Sequence, residues 1–390
     1  MTAASPGSPS IAFLSCNYGG GHNRVAEVLA REVRARRPEA RIQVLDYIET
    51  FVGHAQNVLS TFCYVTAVRR APWTWRWFYR ATSRIPYDSP TQRALNSLGK
   101  ARLERFLAAQ RPDLVVCTYC VPAGAMSELR AAGRTAVPCA TVITDHAVHS
   151  QWIHPHVDQY LVSSDYVRAG LVARGVPPDR VATTGIPIDP RFGVPHDVRA
   201  LRRRYGLHPD VPVILVMVGA ANLLRRAADV YRALAELPVD AQVVWVCGRD
   251  ERLRRTLEAL APRARNPVTV LGYVEEVHEL MAAATLMVSK AGGVTTSEAF
   301  AAELPVVVIN PIPGQEEENV RFVEHLGAGV QARSVADLGR IVTDLLSSPG
   351  RLDAMRAAAA RVKRPDAAAH AAEIILRVGG LLPLVPAGRG

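Results

Sequence analysis

Short apolar runs alternate along the chain with longer stretches whose apolar positions recur at helical spacing. The first half reads IAFLSC, then Val25 to Arg37, RIQVLD, and later Lys100 to Gln110 followed by LVVCTYC and PCATVITD. Runs that are apolar at nearly every position suit strands covered on both faces, and their alternation with helices predicts a parallel sheet flanked by helices. The pattern restarts after GIPIDPRFGVPHD (Gly185 to Asp197), a segment rich in Pro and Gly, with VPVILVMVG, AQVVWVCG, NPVTVLG, TLMVSK and PVVVIN as strands. The expected organisation is a loose N-terminus over 1–10, a first domain over 11–190, a second over 191–345, C-terminal helices over 346–378 and a loose tail over 379–390. The Ala- and Arg-rich stretch from Val335 to Val378 reads as a solvent-facing helical pair.

Length supports this division, because 390 residues exceed one compact core and suit two α/β domains with a cleft between them. Apolar residues make up 49% of the chain and charged residues 21%, which excludes extended disorder. No window reaches the roughly 18 consecutive apolar residues of a membrane-spanning helix, so membrane contact is expected to be peripheral. Met1 to Ser10 lacks a basic start followed by an apolar core, which predicts a cytoplasmic protein. The six cysteines are scattered and read as reduced, buried thiols. Cys117 and Cys120 form a C-x-x-C at the end of a strand, but no second pair completes a zinc site, and core packing is the expectation. The net charge of +10 favours an anionic partner.

One segment breaks the alternation. Residues 51–90 contain RRAPWTWRWFYRATSR, which holds Trp73, Trp75 and Trp77 interleaved with Arg76 and Arg80. Indole rings favour the headgroup level of a bilayer and each nearby arginine adds attraction to anionic lipid, so one reading is a membrane-docking surface. The other is a helical hairpin whose tryptophans pack into the domain. The basic residues form no long stripe and no nucleic-acid-binding motif accompanies them, which excludes a nucleic-acid partner.

Two loops carry the candidate chemistry. NYGGGHNRVAEVLA follows the first strand and opens the first helix, where Gly19, Gly20 and Gly21 allow a ligand to approach the backbone at a helix N-terminus. His22, next in the chain, is either a base for proton removal or a packing histidine. In the second half, TLMVSKAGGVTTSEAF places Gly292 and Gly293 before a helix whose free N–H groups suit a diphosphate. Glu298, one turn in, is positioned to accept both hydroxyls of a ribose, against the alternative of a surface helix residue. GQEEEN then sets amide and carboxylate groups where a hexose needs paired donors and acceptors.

These motifs, with TVITDHAVHSQWIHPHVDQYLVSS, GIPIDPRF and VVWVCGRDERL in order between them, resemble the family of monogalactosyldiacylglycerol synthases and processive diacylglycerol glucosyltransferases, of which the peptidoglycan transferase MurG is a more distant relative. The resemblance covers most of residues 11 to 335. It implies an α/β fold of the GT-B type, two Rossmann-like domains facing across a cleft. It further implies a lipid-acceptor domain first, a UDP-sugar domain second, and an inverting single displacement. By that resemblance the backbone of Gly272, Tyr273 and Val274 meets uracil, Gly292, Gly293 and Thr295 the diphosphate, Glu298 the ribose, and Gln315 and Glu316 the hexose. His22 becomes the base for the acceptor hydroxyl, with Gly20, Gly21, Asp145, His149 and Trp152 on the acceptor side. Asp145 is then either the aid to His22 or part of a structural Asp–His pair. The expected reaction moves glucose or galactose from UDP-glucose or UDP-galactose to diacylglycerol or a glycosyl-diacylglycerol, at the anionic inner face of the cell membrane and without a cofactor.

No two aspartates are spaced D-x-D, so a metal-independent mechanism is expected, with Lys290 or Arg249 and a helix N-terminus stabilising the leaving group. The chain departs from the family pattern in two places. GAANLLRR (Gly219 to Arg226) stands where relatives carry a glycine run. Asn57 and Val58 fall near the place of an acidic residue proposed to orient the histidine, which leaves Asp46, Glu49 or Asp145 for that task. Two rival readings keep the fold: a soluble UDP-sugar epimerase or natural-product transferase, and a non-catalytic membrane-associated sensor of UDP-sugar.

Overall fold

The computed structural model describes residues 8–18, 20–86, 89–217, 226–261 and 264–382. Most of the expected loose N-terminus, Gly19, most of the tail and the GAANLLRR loop up to Arg225 lie outside the described residues. The chain folds as two units. The first takes the chain up to Tyr64, then Trp77–Ile188 and the chain from Asp366 onward; the second takes Val65–Arg76 and Asp189–Pro365.

In the first unit β1 (Ser10–Ser15), β2 (Arg41–Asp46), β3 (Leu114–Cys117), β4 (Cys139–Val142), β5 (Gln159–Val162) and β6 (Val181–Thr183) form a parallel sheet in the order β2-β1-β3-β4-β5-β6. Its central strands are buried at nearly every residue, as strands covered on both faces must be. Helices α1 (Gly21–Arg36), α2 (His54–Arg70), α3 (Pro72–Thr82), α4 (Pro90–Asn96), α5 (Lys100–Gln110), α6 (Cys120–Ala131) and α7 (Asp165–Val172) connect the strands, the end of α2 and the start of α3 being counted with the second unit. The sequential order reverses between β1 and β3, and pairing of Leu14 with Cys117 brings the ends of both strands level. The loops that follow them therefore emerge side by side, which is where open α/β sheets hold ligands.

The second unit repeats the principle. Here β7 (Val213–Met217), β8 (Gln242–Val246), β9 (Val268–Leu271), β10 (Leu286–Ser289), β11 (Val306–Ile309) and β12 (Gly329–Ala332) lie parallel in the order β12-β11-β10-β7-β8-β9. The reversal falls between β7 and β10, whose ends are level through the pairing of Met217 with Ser289. The helices of this half are α8 (Val198–Arg204), α9 (Ala227–Ala235), α10 (Glu251–Glu258), α11 (Val277–Ala283), α12 (Gly293–Ala301), α13 (Gln315–His325), α14 (Val335–Leu346) and α15 (Pro349–Val362). Trp245 of β8 is fully buried at the centre of its core, beside Tyr231 of α9.

Three strands were not announced by an apolar run: β5, β6 and β12. Each is only three or four residues long, and β12 (GVQA) is half-exposed, so pairing with a neighbour rather than local pattern makes them strands. The stretch read as a solvent-facing helical pair is three helices. The last, α16 (Ala367–Val378), belongs to the first unit and buries Ala367, Ala368, Ala371, Ala372, Ile375 and Leu376. Its many alanines mark close packing rather than solvent exposure. The thiols also differ from expectation at Cys63, which is exposed on α2. Cys117 is buried in β3, its Sγ 3.9 Å from that of Cys139 on β4.

Because Ile375 is fully buried, Ile375→Ala is expected to destabilise the protein by about 2–5 kcal/mol. A denaturant midpoint unchanged from wild type would mean that α16 is dispensable to the core.

Candidate active site

In the first unit the loop after β1 turns into α1 at Gly20, whose φ of 81° places it in the left-handed region that a side chain disfavours. Gly21 opens the helix, and His22 follows as its second residue, 8% exposed. Ser15 at the end of β1 donates to Asn23 Oδ1 at 2.5 Å and fastens the helix start to the strand. The ring of His22 is held from two neighbouring strand ends. Its Nδ1 lies 2.8 Å from the carbonyl oxygen of Thr118, just after β3, and 3.0 Å from Oγ1 of Thr144, just after β4. A carbonyl only accepts, so Nδ1 carries the hydrogen of the neutral ring and Nε2 carries the lone pair. Burial pushes the pKa of His22 down to about 4, against a smaller upward effect of the Thr118 carbonyl. The ring is thus neutral and basic at Nε2 at physiological pH.

Aromatic rings surround it. Tyr119 meets His22 edge-on with centroids 5.1 Å apart, and Trp152, nearly buried, lies 6.2 Å away. Tyr18 follows at 5.8 Å from Tyr119, and Tyr64 of α2 at 5.9 Å from Tyr18; Tyr18 also shares a hydrogen bond with Ser60 of α2. Thr118, Thr144, Tyr18, Tyr64 and Tyr119 were not singled out from the sequence. For all but Tyr64, which lies within α2, the signal available was a place directly after a strand or inside a quoted motif.

The other expected acceptor-side residues have different surroundings. His149 is buried, and both ring nitrogens serve the fold: Nε2 donates to the Tyr79 carbonyl of α3 at 3.0 Å and Nδ1 accepts from the Gln151 amide at 3.2 Å. Its ring packs on Tyr79 at 4.4 Å, so His149 anchors α3 to the loop that carries Trp152. Asp145 is half-buried and its carbonyl accepts from Ser163. The groups that meet His22 Nδ1, a backbone carbonyl and a threonine hydroxyl, include no carboxylate. Both oxygens of Glu49 are engaged at 2.7 Å, one by His54 and the other by Asn57. Asp46 accepts from the Glu49 amide.

The aromatic segment is α3 with the end of α2, and α3 buries none of its residues. Trp73 and Trp77 share a face and are 72% and 71% exposed, whereas Trp75, on the opposite side, is half-buried. Arg76 and Arg80 are exposed, and Arg76 forms a 2.6 Å ion pair with Glu317 of α13. On α2 the apolar residues Val58, Leu59 and Phe62 are exposed as well. Their i, i+1, i+4 spacing marks one helical face.

In the second unit the loop after β10 runs Lys290–Ala291–Gly292 into α12. No side chain caps this helix, so the N–H groups of its first turn remain available to an anion. A Cβ on Gly292 would meet only Glu316 Oε1 at 3.9 Å and Thr295 Oγ1 at 4.0 Å, so the fold itself has room for a side chain there. Thr295 is half-exposed at the helix start, beside Gly293. Glu316 is buried; Oε2 accepts the Ile312 amide at 2.7 Å and Oε1 lies 3.3 Å from the ammonium of Lys290. Asn319 donates to the Ala291 carbonyl at 2.9 Å and ties α13 to the same loop. Gln315 is half-exposed at the start of α13. Glu298 is buried on α12 rather than a surface residue. After β9, Tyr273 is 60% exposed with the guanidinium of Arg249 5.0 Å over its ring, between Gly272 and Val274. Among the described residues no three His, Cys, Asp or Glu side chains gather as a metal site requires.

The family model of monogalactosyldiacylglycerol synthase matches residues 22–188, and that of group 1 glycosyl transferases matches residues 198–362. The processive diacylglycerol beta-glucosyltransferase of Bacillus cereus (strain AH187) is 32% identical over 372 residues, 95% of this chain and 94% of that protein; the Bacillus cytotoxicus protein of the same name is 31% identical over the same shares. The chain belongs to this family of glycosyltransferases. Its fold is the one seen in MurG of Acinetobacter baumannii (TM-score 0.62, 15% identity, 95% of this chain and 99% of that one) and in S. aureus MnaA bound to UDP (TM-score 0.62, 13% identity, 98% and 100%). This family's GT-B architecture is therefore present here as two six-stranded parallel sheets.

His154, whose Nε2 donates to the Cys120 carbonyl at 3.2 Å, is pushed down by burial to about 4, like His22. Both take up protons near pH 6.5 in the unfolded chain but only near 4 in the folded one. Between these values the unfolded state binds more protons, so stability is fully present above 6.5 and is lost as the pH falls toward 4. Each histidine accounts for on the order of 3 kcal/mol of that loss. Thermal melts are expected to show a falling midpoint on acidification, with a shallower slope in His154→Gln; equal slopes in both proteins would contradict this.

Proposed function

We propose that the chain is an inverting, metal-independent glycosyltransferase that moves glucose or galactose from a UDP-sugar to diacylglycerol, or to a glycosyl-diacylglycerol, at the inner face of the cell membrane. The observation that carries the reading is the fixed tautomer of His22. The Thr118 carbonyl at 2.8 Å keeps the hydrogen on Nδ1, so Nε2 is the basic nitrogen. His22 removes the proton of the acceptor hydroxyl, and the oxygen attacks C1 of the sugar on the face opposite UDP. The C1–O bond to the β-phosphate breaks, and its electron pair leaves with UDP. An α-linked donor then yields a β-glycoside, in keeping with the beta-glucosyltransferase relatives.

The leaving diphosphate is assigned to the start of α12, among Gly292, Gly293 and Thr295; the absence of a side-chain cap there and the ammonium of Lys290 close to the same loop support this. Preorganised N–H dipoles and a fixed cation stabilise charge that appears only as the bond breaks, which is the task a divalent ion performs in other transferases. Glu298 takes the ribose, and Gln315 and Glu316 the hexose. On the acceptor side, Gly20, Gly21, Trp152 and Tyr119 shape the approach to His22, with Asp145 as its candidate aid. Docking to anionic lipid is assigned to Trp73 and Trp77 with Arg80, extended by Val58, Leu59 and Phe62 of α2. Among the described residues no helix is long and apolar enough to cross a membrane, and exposed indole and apolar faces suit interfacial attachment instead.

Purified protein mixed with diacylglycerol-containing liposomes and UDP-glucose or UDP-galactose is expected to release UDP; no release with either donor would end the lipid reading. His22→Ala should lower kcat by about 10²- to 10⁴-fold while UDP affinity stays constant. Wild-type turnover in that variant would remove His22 as the base. Initial rates should hold level from about pH 8 down to about pH 5, since the base form persists until the pH nears about 4. Trp73→Ala combined with Trp77→Ala should abolish flotation with anionic liposomes, and undiminished flotation would refute the docking surface.

A further inference from the structure

The long segment of the second unit begins at Asp189, followed by a single 3-10 turn, Pro190–Gly193. Asp189 is buried, and an uncompensated carboxylate there would be costly. Arg191 compensates it in bidentate fashion: Nε lies 3.1 Å from Oδ1 and Nη2 3.0 Å from Oδ2, while the Arg191 amide donates to Oδ1 at 3.1 Å. The turn is fixed on its other sides too. Phe192 meets the ring of His278 on α11 edge-on at 6.0 Å, and Gly193 lies so close to Pro365 that a Cβ would collide with it.

The third nitrogen of this guanidinium reaches elsewhere. Nη1 of Arg191 lies 2.7 Å from Oε2 of Glu276, which also stands 3.3 Å from Nδ1 of His278. Glu276 is the residue before α11, yet its side chain makes no capping bond to that helix. It turns instead to Arg191. Between Glu276 and the edge strand β9 lie Gly272, Tyr273, Val274 and Glu275, a loop with little packing of its own: Tyr273 is largely exposed, and a Cβ on Gly272 would find nothing nearer than 3.7 Å.

We propose that Arg191 is a positioning residue for the donor, tying Glu276 at the far end of the Gly272–Glu276 loop to the buried carboxylate of Asp189 so that the loop backbone is held ready for the nucleotide. The proposal rests on the reading that Gly272 to Val274 meet the base of the donor. The Arg191–Glu276 arm is about 40% exposed on both partners, at 43% and 40%. A pair so placed adds little to global stability, and its effect is expected in the geometry of the loop.

The test uses the full chain and UDP itself as the probe. Arg191→Met and Glu276→Gln are each expected to weaken UDP binding about fivefold by calorimetry, to raise the KM for the sugar donor in parallel, and to leave kcat and the KM for the acceptor unchanged. The double variant should bind no more weakly than either single one, because both remove the same link. Arg191→Lys should recover part of the affinity. Amide exchange should show that UDP protects residues 189–197 in wild type and not in Glu276→Gln. UDP affinity and exchange protection equal to wild type in Glu276→Gln, with or without a lowered melting midpoint, would overturn the proposal. Gly272→Val separates the two levels: if it also leaves UDP binding intact, the base is not met at this loop and the donor reading fails with the proposal, whereas a loss in Gly272→Val with none at Arg191 or Glu276 overturns the positioning role alone.

Discussion

One hydrogen bond, from Nδ1 of His22 to the carbonyl of Thr118, organises the candidate site of the first unit. It exists because β1 and β3 are adjacent although they are not consecutive in the chain, and because their register brings Leu14 opposite Cys117. Shift that register by a residue and the carbonyl at the end of β3 no longer faces the start of α1. A carboxylate in the same place would fix the same tautomer, but it would also raise the basicity of the ring and favour the imidazolium. A backbone carbonyl does the first with little of the second, and burial wins over it. The outcome is a histidine that stays neutral without depending on a neighbouring acid, which fits a chain with Asn57 and Val58 where an acidic residue was sought.

The second unit follows the same geometric rule with the opposite electrical sign. There the strand end at the reversal point leads to a helix start rich in unengaged N–H groups, and Lys290 adds a cation. Lys290 and Glu316 are both nearly buried, a pairing whose desolvation cost roughly cancels its attraction. Its value to the site lies in orientation: Glu316 is also bonded to the Ile312 amide, so the pair locks the turn before α13 against the loop before α12. Asn319 repeats the connection through Ala291. Three side chains thus hold two loops in register where Gly292 leaves open volume.

The α/β class, the two-sheet architecture and the family were legible because they rest on contiguous runs: all-apolar strands, glycines at strand ends and several motifs in order. The strands β5, β6 and β12 were not, since their identity comes from pairing across the sheet rather than from their own few residues. Candidate site residues divided the same way. His22 and Gly292 announce themselves by position after a strand, whereas Thr118 and Thr144 matter through a carbonyl and a hydroxyl that meet His22 only after the sheet assembles. His149 shows the reverse difficulty: its motif suggests an open ligand face, yet both nitrogens are engaged with Tyr79 and Gln151. The alanines of α16 looked like a solvent-facing surface because close packing of small residues has no distinct composition.

That last helix has a consequence for how the protein is made. The first sheet is translated early, but α16, which covers it, leaves the ribosome only after the second unit has been synthesised. The N-terminal half must therefore wait, with part of its apolar surface uncovered, while the C-terminal half completes. The usual N-to-C order of domain maturation is inverted here. Nascent chains stalled shortly after Pro365 should thus be the ones that most need a chaperone.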